Sequence, residues 1–311
     1  MRYSDNSINI LTAIRYKGIG KAWIVSNWRK NLTDDEIVEF INQSTKGEQT
    51  TVSEFNEVRK NIIQRVSQQK DFADGVVGWL DEDYPFCRGN AKKGDFPIAL
   101  FYKGDISLLN KQRRNVAVIG VLKPEESVIQ RERRMVSSLL KYGYVIVSGL
   151  ALGCDSVAHI RTLEENGKTV AVLPSPLDNV IPNQHKELAQ EIVQKGGLLI
   201  TEYFEEPKSQ MEMRGRYQER DRLQAMFSDA IILTASYDVN KDGNDSGSRL
   251  AMEYARQYHI PRYVMYNEQT DSSHPQFELN RRILREGESQ VLTQNKISSL
   301  TTMQSMTLDF L

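Results

Sequence analysis

Cysteine and histidine are scarce in this chain, with two and four respectively in 311 residues. Cys87 and Cys154 lie far apart and match no ligand spacing, which excludes a disulfide framework and a zinc site. Neither metal nor cofactor is expected, and unframed thiols suit a reducing cytoplasmic setting. An excess of one charge is also missing. Lys+Arg number 40 and Asp+Glu 41, for a formal net charge of -1, so no global basic bias announces nucleic acid. A local basic patch stays compatible with that balance. No apolar run reaches membrane-spanning length, and no charged-then-apolar leader opens the chain, so no membrane partner is expected. Gly120 is followed by Val121-Leu122-Lys123, not by a G-x-G-x-x-G turn, and no G-x-x-x-x-G-K-[ST] loop occurs. Ordinary dinucleotide use and ATP hydrolysis are therefore unsupported. Glu202 and Glu219 are isolated acids with no partner acid in sequence for hydrolysis.

What is present is a globular composition, 40% hydrophobic and 26% charged, on a chain long enough for one large domain and one or two small ones. The organising stretch is Val116 to His159. Two apolar runs, Val116–Ile119 and Tyr144–Val147, end in Gly120 and Ser148-Gly149, with a helical length between them. That spacing predicts a βαβ unit. Further strands are expected over 169–173, 198–202, 230–234 and 262–266, alternating with helices. Six such strands predict an α/β fold, a Rossmann-like open and mostly parallel sheet. Shorter strand candidates lie at 76–80 and 97–103. A helix is expected over about 125–142, a loop over 203–216 and a short helix over 217–227.

Residues 1–75 read as a small helical domain, SAM-like or helix-hairpin in type. Thr33 with Glu36 forms a capping-box pattern, and Val52, Phe55, Val58, Ile62 and Val66 keep helical spacing. Gly18-Ile19-Gly20 invites comparison with DNA-binding helix-hairpin-helix turns, although a plain tight turn explains it as well. The expected division is 1–75 helical, 76–290 Rossmann-like and 291–311 a C-terminal tail ending in Leu308, Phe310 and Leu311.

Gly120, Ser148-Gly149, Pro174-Ser175 and Ser246-Gly247-Ser248 all follow strands, so a parallel sheet gathers them on one edge. Backbone N–H groups and helix N-termini there suit a phosphate, and the hydroxyls of Ser148, Ser246 and Ser248 are candidate donors. Arg220 and Arg222, read at a helix start, are either a binding pair or an internal salt bridge with Asp221 or Glu202. Tyr203, Tyr217 and Tyr237 fall near the same edge, and arginines beside aromatics fit single-stranded nucleic acid. Asp155 and His159 share a helix face. A catalytic set with Cys154 is disfavoured, because Cys154 and His159 are five apart and point differently. Asp155 is read as a helix cap after Gly153, and His159 as a partner of buried polar groups or of Asp155. Catalytic residues are therefore not expected.

These residues resemble the DNA-processing protein A (DprA, or Smf) family. Ser148 to His159 matches the form S-G-x-A-x-G-x-D-x-x-A-H. Asp83-Tyr84-Pro85, the run Pro97–Gly104, the segment Thr169–Pro182, Arg220-Asp221-Arg222, Ser246-Gly247-Ser248, and Asn280 with Gly287 follow in the family's order. The resemblance implies a non-enzymatic, dimeric single-stranded DNA-binding protein. It would help load a RecA-type recombinase during natural transformation and recombination. It places the DNA pocket at Gly120, Ser148, Gly149, Gly153, Lys186, Arg220, Arg222, Ser246, Gly247 and Ser248. The winged-helix-like C-terminal domain of some members is not expected in this chain. Departures mark a divergent member. Gly120-Val121-Leu122 stands where the family has Gly-Ser-Arg, leaving Lys123 as the nearest cation, without an arginine's bidentate fork. Arg220-Asp221-Arg222 replaces Arg-Asn-Arg, and Tyr266-Asn267 replaces Pro-Gly. The alternative reading is a nucleotide-binding or nucleotide-cleaving Rossmann-like protein in signalling or defence, though a Pro-Gly-Gly-x-Gly-Thr loop is missing. A protein-binding scaffold is the third.

Overall fold

The computed structural model describes residues 1–45, 49–238 and 247–300. The chain opens with four helices, α1 (Asp5–Ala13), α2 (Lys21–Asn27), α3 (Asp34–Ser44) and α4 (Val52–Ser67). Capping boxes start both α3 and α4, through Thr33 with Glu36 and Thr51 with Glu54. Each box satisfies two of the N–H groups that a helix start leaves unpaired. Ile24, Trp28, Ile37, Ile41 and Phe55 close a core around Ile10 and reach Ile98 of the following region. Ile8 and Leu11 on the other side of α1 pack with Phe101 and Leu199, so the helices share a core with the sheet. The Gly18-Ile19-Gly20 turn buries Ile19, and its flanking cations face acids: Arg15 lies 3.6 Å from Glu205, and Lys21 lies 3.1 Å from Glu202.

One nine-stranded sheet follows. Its strands are β1 (Gly75–Gly78), β2 (Ala99–Gly104), β3 (Asn115–Ile119), β4 (Val145–Ser148), β5 (Thr169–Val172), β6 (Leu198–Thr201), β7 (Ala230–Leu233), β8 (Arg262–Val264) and β9 (Gln290–Val291). Their order is β1-β2-β6-β5-β4-β3-β7-β8-β9. The pairings β1–β2 and β2–β6 are antiparallel, and the pairings from β6 through β9 are parallel. All six strands of the expected parallel core are present as β3 to β8. The strand β9 is an addition. Residues 290–300, read mostly as tail, extend the sheet and send Ile297 and Leu300 into the core beside Val116 and Ile146.

Helices cover both faces, which is why β3 to β8 are buried along their length and read as apolar runs without alternation. On one side lie α5 (Glu126–Lys141), α6 (Cys154–Glu164) and α7 (Lys186–Gln194). On the other lie α8 (Gln210–Met226) and α9 (Ser248–Gln257). The turn α10 (Glu268–Asp271), then α11 (Glu278–Arg285) and α12 (Gln294–Ile297), complete the fold.

The crossover helix α8 corrects the sequence reading. A loop to 216 and a short helix from 217 are expected, whereas one helix runs from Gln210, capped by the Ser209 side chain accepting from Glu212 N–H. The apolar periodicity is faint because this helix buries polar groups: Arg216, Arg220, Asp221, Arg222 and Gln224 are all inside. Arg220 and Arg222 therefore sit well past the first turn, and their placement owes nothing to the helix dipole there.

Candidate functional site

From β3 the chain steps outward through β4, β5 and β6, and α8 then carries it back to β7 on the other side of β3. The loops after β3 and β7 diverge at this reversal, which is where open α/β sheets leave a crevice. A cleft of about 400 Å³ opens there, between Gly120, Gly149, the Ile181-Pro182 loop, α8 and the start of α9.

Arg220 forms its floor. The side chain is 7% exposed, with Nη1 3.6 Å from Asp155 Oδ2 and Nε 3.3 Å from Asp221 Oδ1. Neither Nε nor Nη1 completes a hydrogen bond with the protein. Tyr217 lies one turn earlier, its ring centroid 5.9 Å from the guanidinium carbon. Gly149 makes the approach possible, since a Cβ there would overlap the guanidinium. Gly247 gives Asp221 similar room: a Cβ would come within 2.8 Å of Oδ2. Gly120 packs on Cys154, where a Cβ would stand 2.5 Å from Sγ. Gly153 holds φ +74° under the Val121-Leu122 backbone, a left-handed turn that also leaves no space for a side chain.

Burial sets the charges. It pushes the Asp221 carboxyl up to about 7, against the pull of Arg220 and with a further push from Asp155. Asp155 is also raised by burial, opposed by Arg220 and by N–H donors from Ala151 and Gly149. His159 is driven down to about 3 by burial and by the nearby His185 and Arg220, so its ring is neutral. The Cys154 thiol is pushed well up by burial and by Glu132, which makes it a poor nucleophile.

Several expected roles change. Gly153 caps α6 without a side chain, and Asp155 turns back to accept from Gly149 N–H (3.1 Å) and Ala151 N–H (3.3 Å). Asp155 thus ties the loop rather than capping the helix. His159 Nδ1 meets Thr169 Oγ1 at 2.7 Å, so it serves a buried strand hydroxyl and not Asp155. The hydroxyls of Ser148 and Ser248 donate to the carbonyls of Val118 (2.7 Å) and Gly120 (3.0 Å). A hydroxyl has one proton, so neither has a donor left for a phosphate. Arg222 takes the salt-bridge alternative: Nη1 and Nη2 donate to Glu202 at 2.7 and 2.8 Å, and Nε donates to the Asp95 carbonyl at 2.8 Å. Burial alone would raise Glu202, but Arg222 and Lys21 outweigh it and hold that carboxyl low. Lys123 and Lys186 are exposed and lie outside the cleft lining, and Ser246 lies outside the described residues. The lining keeps Gly120, Gly149, Arg220, Gly247 and Ser248, with Asp155 beneath.

Of the three tyrosines near this edge, only Tyr217 lines the cleft. Tyr203 stacks under Arg216, and Tyr237 meets Gln276. The sequence reading misses Gln224 and the apolar rim of Leu122, Leu152 and Ile181. A signal for Gln224 was available, because 217, 220, 221 and 224 follow helical spacing and mark one polar face.

A Rossmann-like sheet with a cleft at its switch point and a buried arginine in the lining defines an α/β protein of the open-sheet class. Comparison with known proteins makes the class specific. Residues 75–301 match the family model for DNA recombination-mediator protein A, and the chain belongs to that family. It is 38% identical over 143 residues to Protein Smf of Borreliella burgdorferi, covering 45% of this chain and 43% of that protein. The chain spans about half the length of the curated relatives it matches. The fold is that of DNA processing protein A from Streptococcus pneumoniae, at 23% identity and a TM-score of 0.70 over 96% of this chain and 98% of that one. A second solved relative, from Helicobacter pylori, is described for its single-stranded DNA binding mode. It aligns at 26% identity and a TM-score of 0.58 over 74% of this chain and 95% of that one.

Proposed function

We propose that the protein binds single-stranded DNA at the strand-end cleft and serves recombination and DNA uptake, without catalysis. The observation that carries this reading is Arg220, a buried cation lining the cleft, whose neighbouring carboxylates stand at 3.3 and 3.6 Å without completing a hydrogen bond to Nε or Nη1. Buried donors are nearly always bonded in folded proteins, so an incompletely bonded guanidinium facing a cleft suits an anionic ligand. Tyr217 adds an aromatic face beside it, as base stacking requires. Family membership and the H. pylori relative support the choice of DNA among anions. Nucleophilic catalysis by Cys154 or His159 is disfavoured by the raised thiol and the neutral, buried ring. Loading of a RecA-type recombinase, homodimer formation and a cytoplasmic setting belong to the same proposal. Among the described residues no helix is long and apolar enough to cross a membrane.

Fluorescence anisotropy with a labelled single-stranded oligonucleotide tests it. Binding is expected to weaken steeply with salt. Arg220→Ala is expected to lose roughly tenfold or more, as for a charged hydrogen bond worth about 1.5–3 kcal/mol. Salt-independent binding, or full affinity in Arg220→Ala, would refute the assignment. The cleft's place at the β3/β7 reversal equally suits one mononucleotide. Displacement of the oligonucleotide by a free nucleoside monophosphate would favour that reading.

A further inference from the structure

A second depression, of about 640 Å³, runs along α5 on the face away from α8 and α9. Its walls are α5, the end of α6 and the segment from Leu292 to Ile297. Its cations fall into two kinds. Arg131 is fully engaged, Nη1 and Nη2 reaching Asp271 at 2.8 and 2.9 Å. Arg161 is engaged as well, by Ser137, Glu164 and Glu165. Arg134 and Lys141 are exposed, and neither side chain pairs with any described residue. They are seven residues apart on α5, two turns along the same face, so their Cα atoms are about 10 Å apart along the axis. Between them the floor is apolar, made by Met135, Leu292 and Ile297.

We infer that this groove docks an acidic peptide segment of a protein partner, in extended form, with an apolar side chain between two carboxylates. The spacing sets the register. An extended chain rises about 3.3 Å per residue and alternates faces, so carboxylates four positions apart flank one apolar side chain on the groove side, about 13 Å apart, a span that the long arginine and lysine side chains cover. Their charge complements an acidic ligand, and the Met135 thioether adapts to an apolar side chain of varied shape. Single-stranded nucleic acid fits less well. Among the described residues lining the groove none is aromatic, so bases find no stacking platform, and Glu165 stands in the wall. The inference is independent of the function proposed for the cleft.

The test is anisotropy of a labelled peptide, Gly-Ser-Glu-Ser-Met-Ser-Glu-Gly, against the full chain, with a peptide carrying glutamine for both glutamates as control. The double variant Arg134→Ala with Lys141→Ala changes two exposed helix positions to the best helix former, so the fold is expected to survive. Salt-sensitive binding of the acidic peptide is expected, at least tenfold weaker for the control peptide and for the double variant, with oligonucleotide binding unchanged. Equal binding of the two peptides, or no binding, overturns the inference. So does loss of oligonucleotide binding in the double variant, which would give the groove to nucleic acid. A fall in the double variant's oligomeric mass by light scattering also overturns it, and would give the groove to a second copy of the chain.

Discussion

The two ends of the parallel sheet each bury an arginine, and they treat it oppositely. At the end where the strands begin, Arg88 is 1% exposed and every nitrogen is bonded. Nε donates to Asp229 at 2.7 Å, Nη1 to the carbonyls of Phe86 and Phe227, and Nη2 to those of Asn110 and Arg113. The other oxygen of Asp229 accepts from Asn115 N–H at the start of β3, so the charge pair pins loop to sheet. At the end where the strands finish, Arg220 is 7% exposed and has two carboxylates close by, yet two of its nitrogens form no hydrogen bond. The same residue type at similar burial is fully hydrogen-bonded at one end and only loosely ion-paired at the other. Burial alone does not distinguish the two arginines; the completeness of their bonding does.

Breaking the Arg88–Asp229 pair is expected to have the largest effect. Arg88→Ala leaves Asp229 buried without its partner, and removing one member of such a pair costs about 3–5 kcal/mol. Urea unfolding should show that loss, while oligonucleotide affinity per folded molecule stays as it was. Arg220→Ala should invert the pattern, with binding lost and a smaller change in the urea midpoint, because Asp221 takes up a proton near neutrality and sheds its unpaired charge. If both variants lose stability alike, the distinction between the two ends is wrong.

Gly149→Ala tests the open end from the backbone side. The new methyl occupies the volume of the Arg220 guanidinium, which must move. Binding is expected to fall by roughly tenfold, near 1.4 kcal/mol. Because both changes act through one group, Gly149→Ala combined with Arg220→Ala should be no worse than Arg220→Ala alone. Additive losses would mean that Gly149 contributes to the cleft by another route.

The contrast between the ends also explains what could be read from sequence. β3 to β8 were legible because buried parallel strands carry dense apolar runs, and Gly120 and Gly149 marked their ends. The helix α8 was obscured at its start for the opposite reason: its inner face carries Arg216, Arg220, Asp221 and Gln224, so apolar periodicity says nothing about it. The engagement of Arg222 by Glu202, and the turning of the Ser148 and Ser248 hydroxyls toward carbonyls, depend on contacts between residues 20 to 128 apart. Local spacing cannot decide between a free and a spent donor. The short β9 was missed because two residues carry no periodicity, and its place is set by pairing with β8.

Asp221 gives the finest test of the open end, because it competes with any anion for Arg220. Its pKa is pushed from 3.8 to about 7, first by burial, with Arg220 opposing and Asp155 reinforcing. The sign follows from that direction. Below pH 4 the group is neutral whether the chain is folded or unfolded. Between pH 4 and 7 only the folded chain holds the proton, so the contribution of Asp221 to stability falls as pH rises through this window. Above pH 7 the carboxylate is charged and 3.3 Å from Arg220 Nε, where it screens the guanidinium. Oligonucleotide affinity is therefore expected to drop a few-fold between pH 6 and pH 8, an effect of about 1 kcal/mol or less. Asp221→Asn should flatten that dependence, raise affinity at pH 8 to the level seen at pH 6, and remove the Asp221 share of the stability slope from pH 4 to 7. His159, lowered from 6.5 to about 3, adds a slope of opposite sign, since between these values only the unfolded chain holds its proton and stability rises with pH. Asp155, whose pKa is also raised, and His159 both stay in the variant, so a residual slope would report those two groups. A pH profile unchanged by Asp221→Asn would mean that the carboxylate does not gate Arg220 at all.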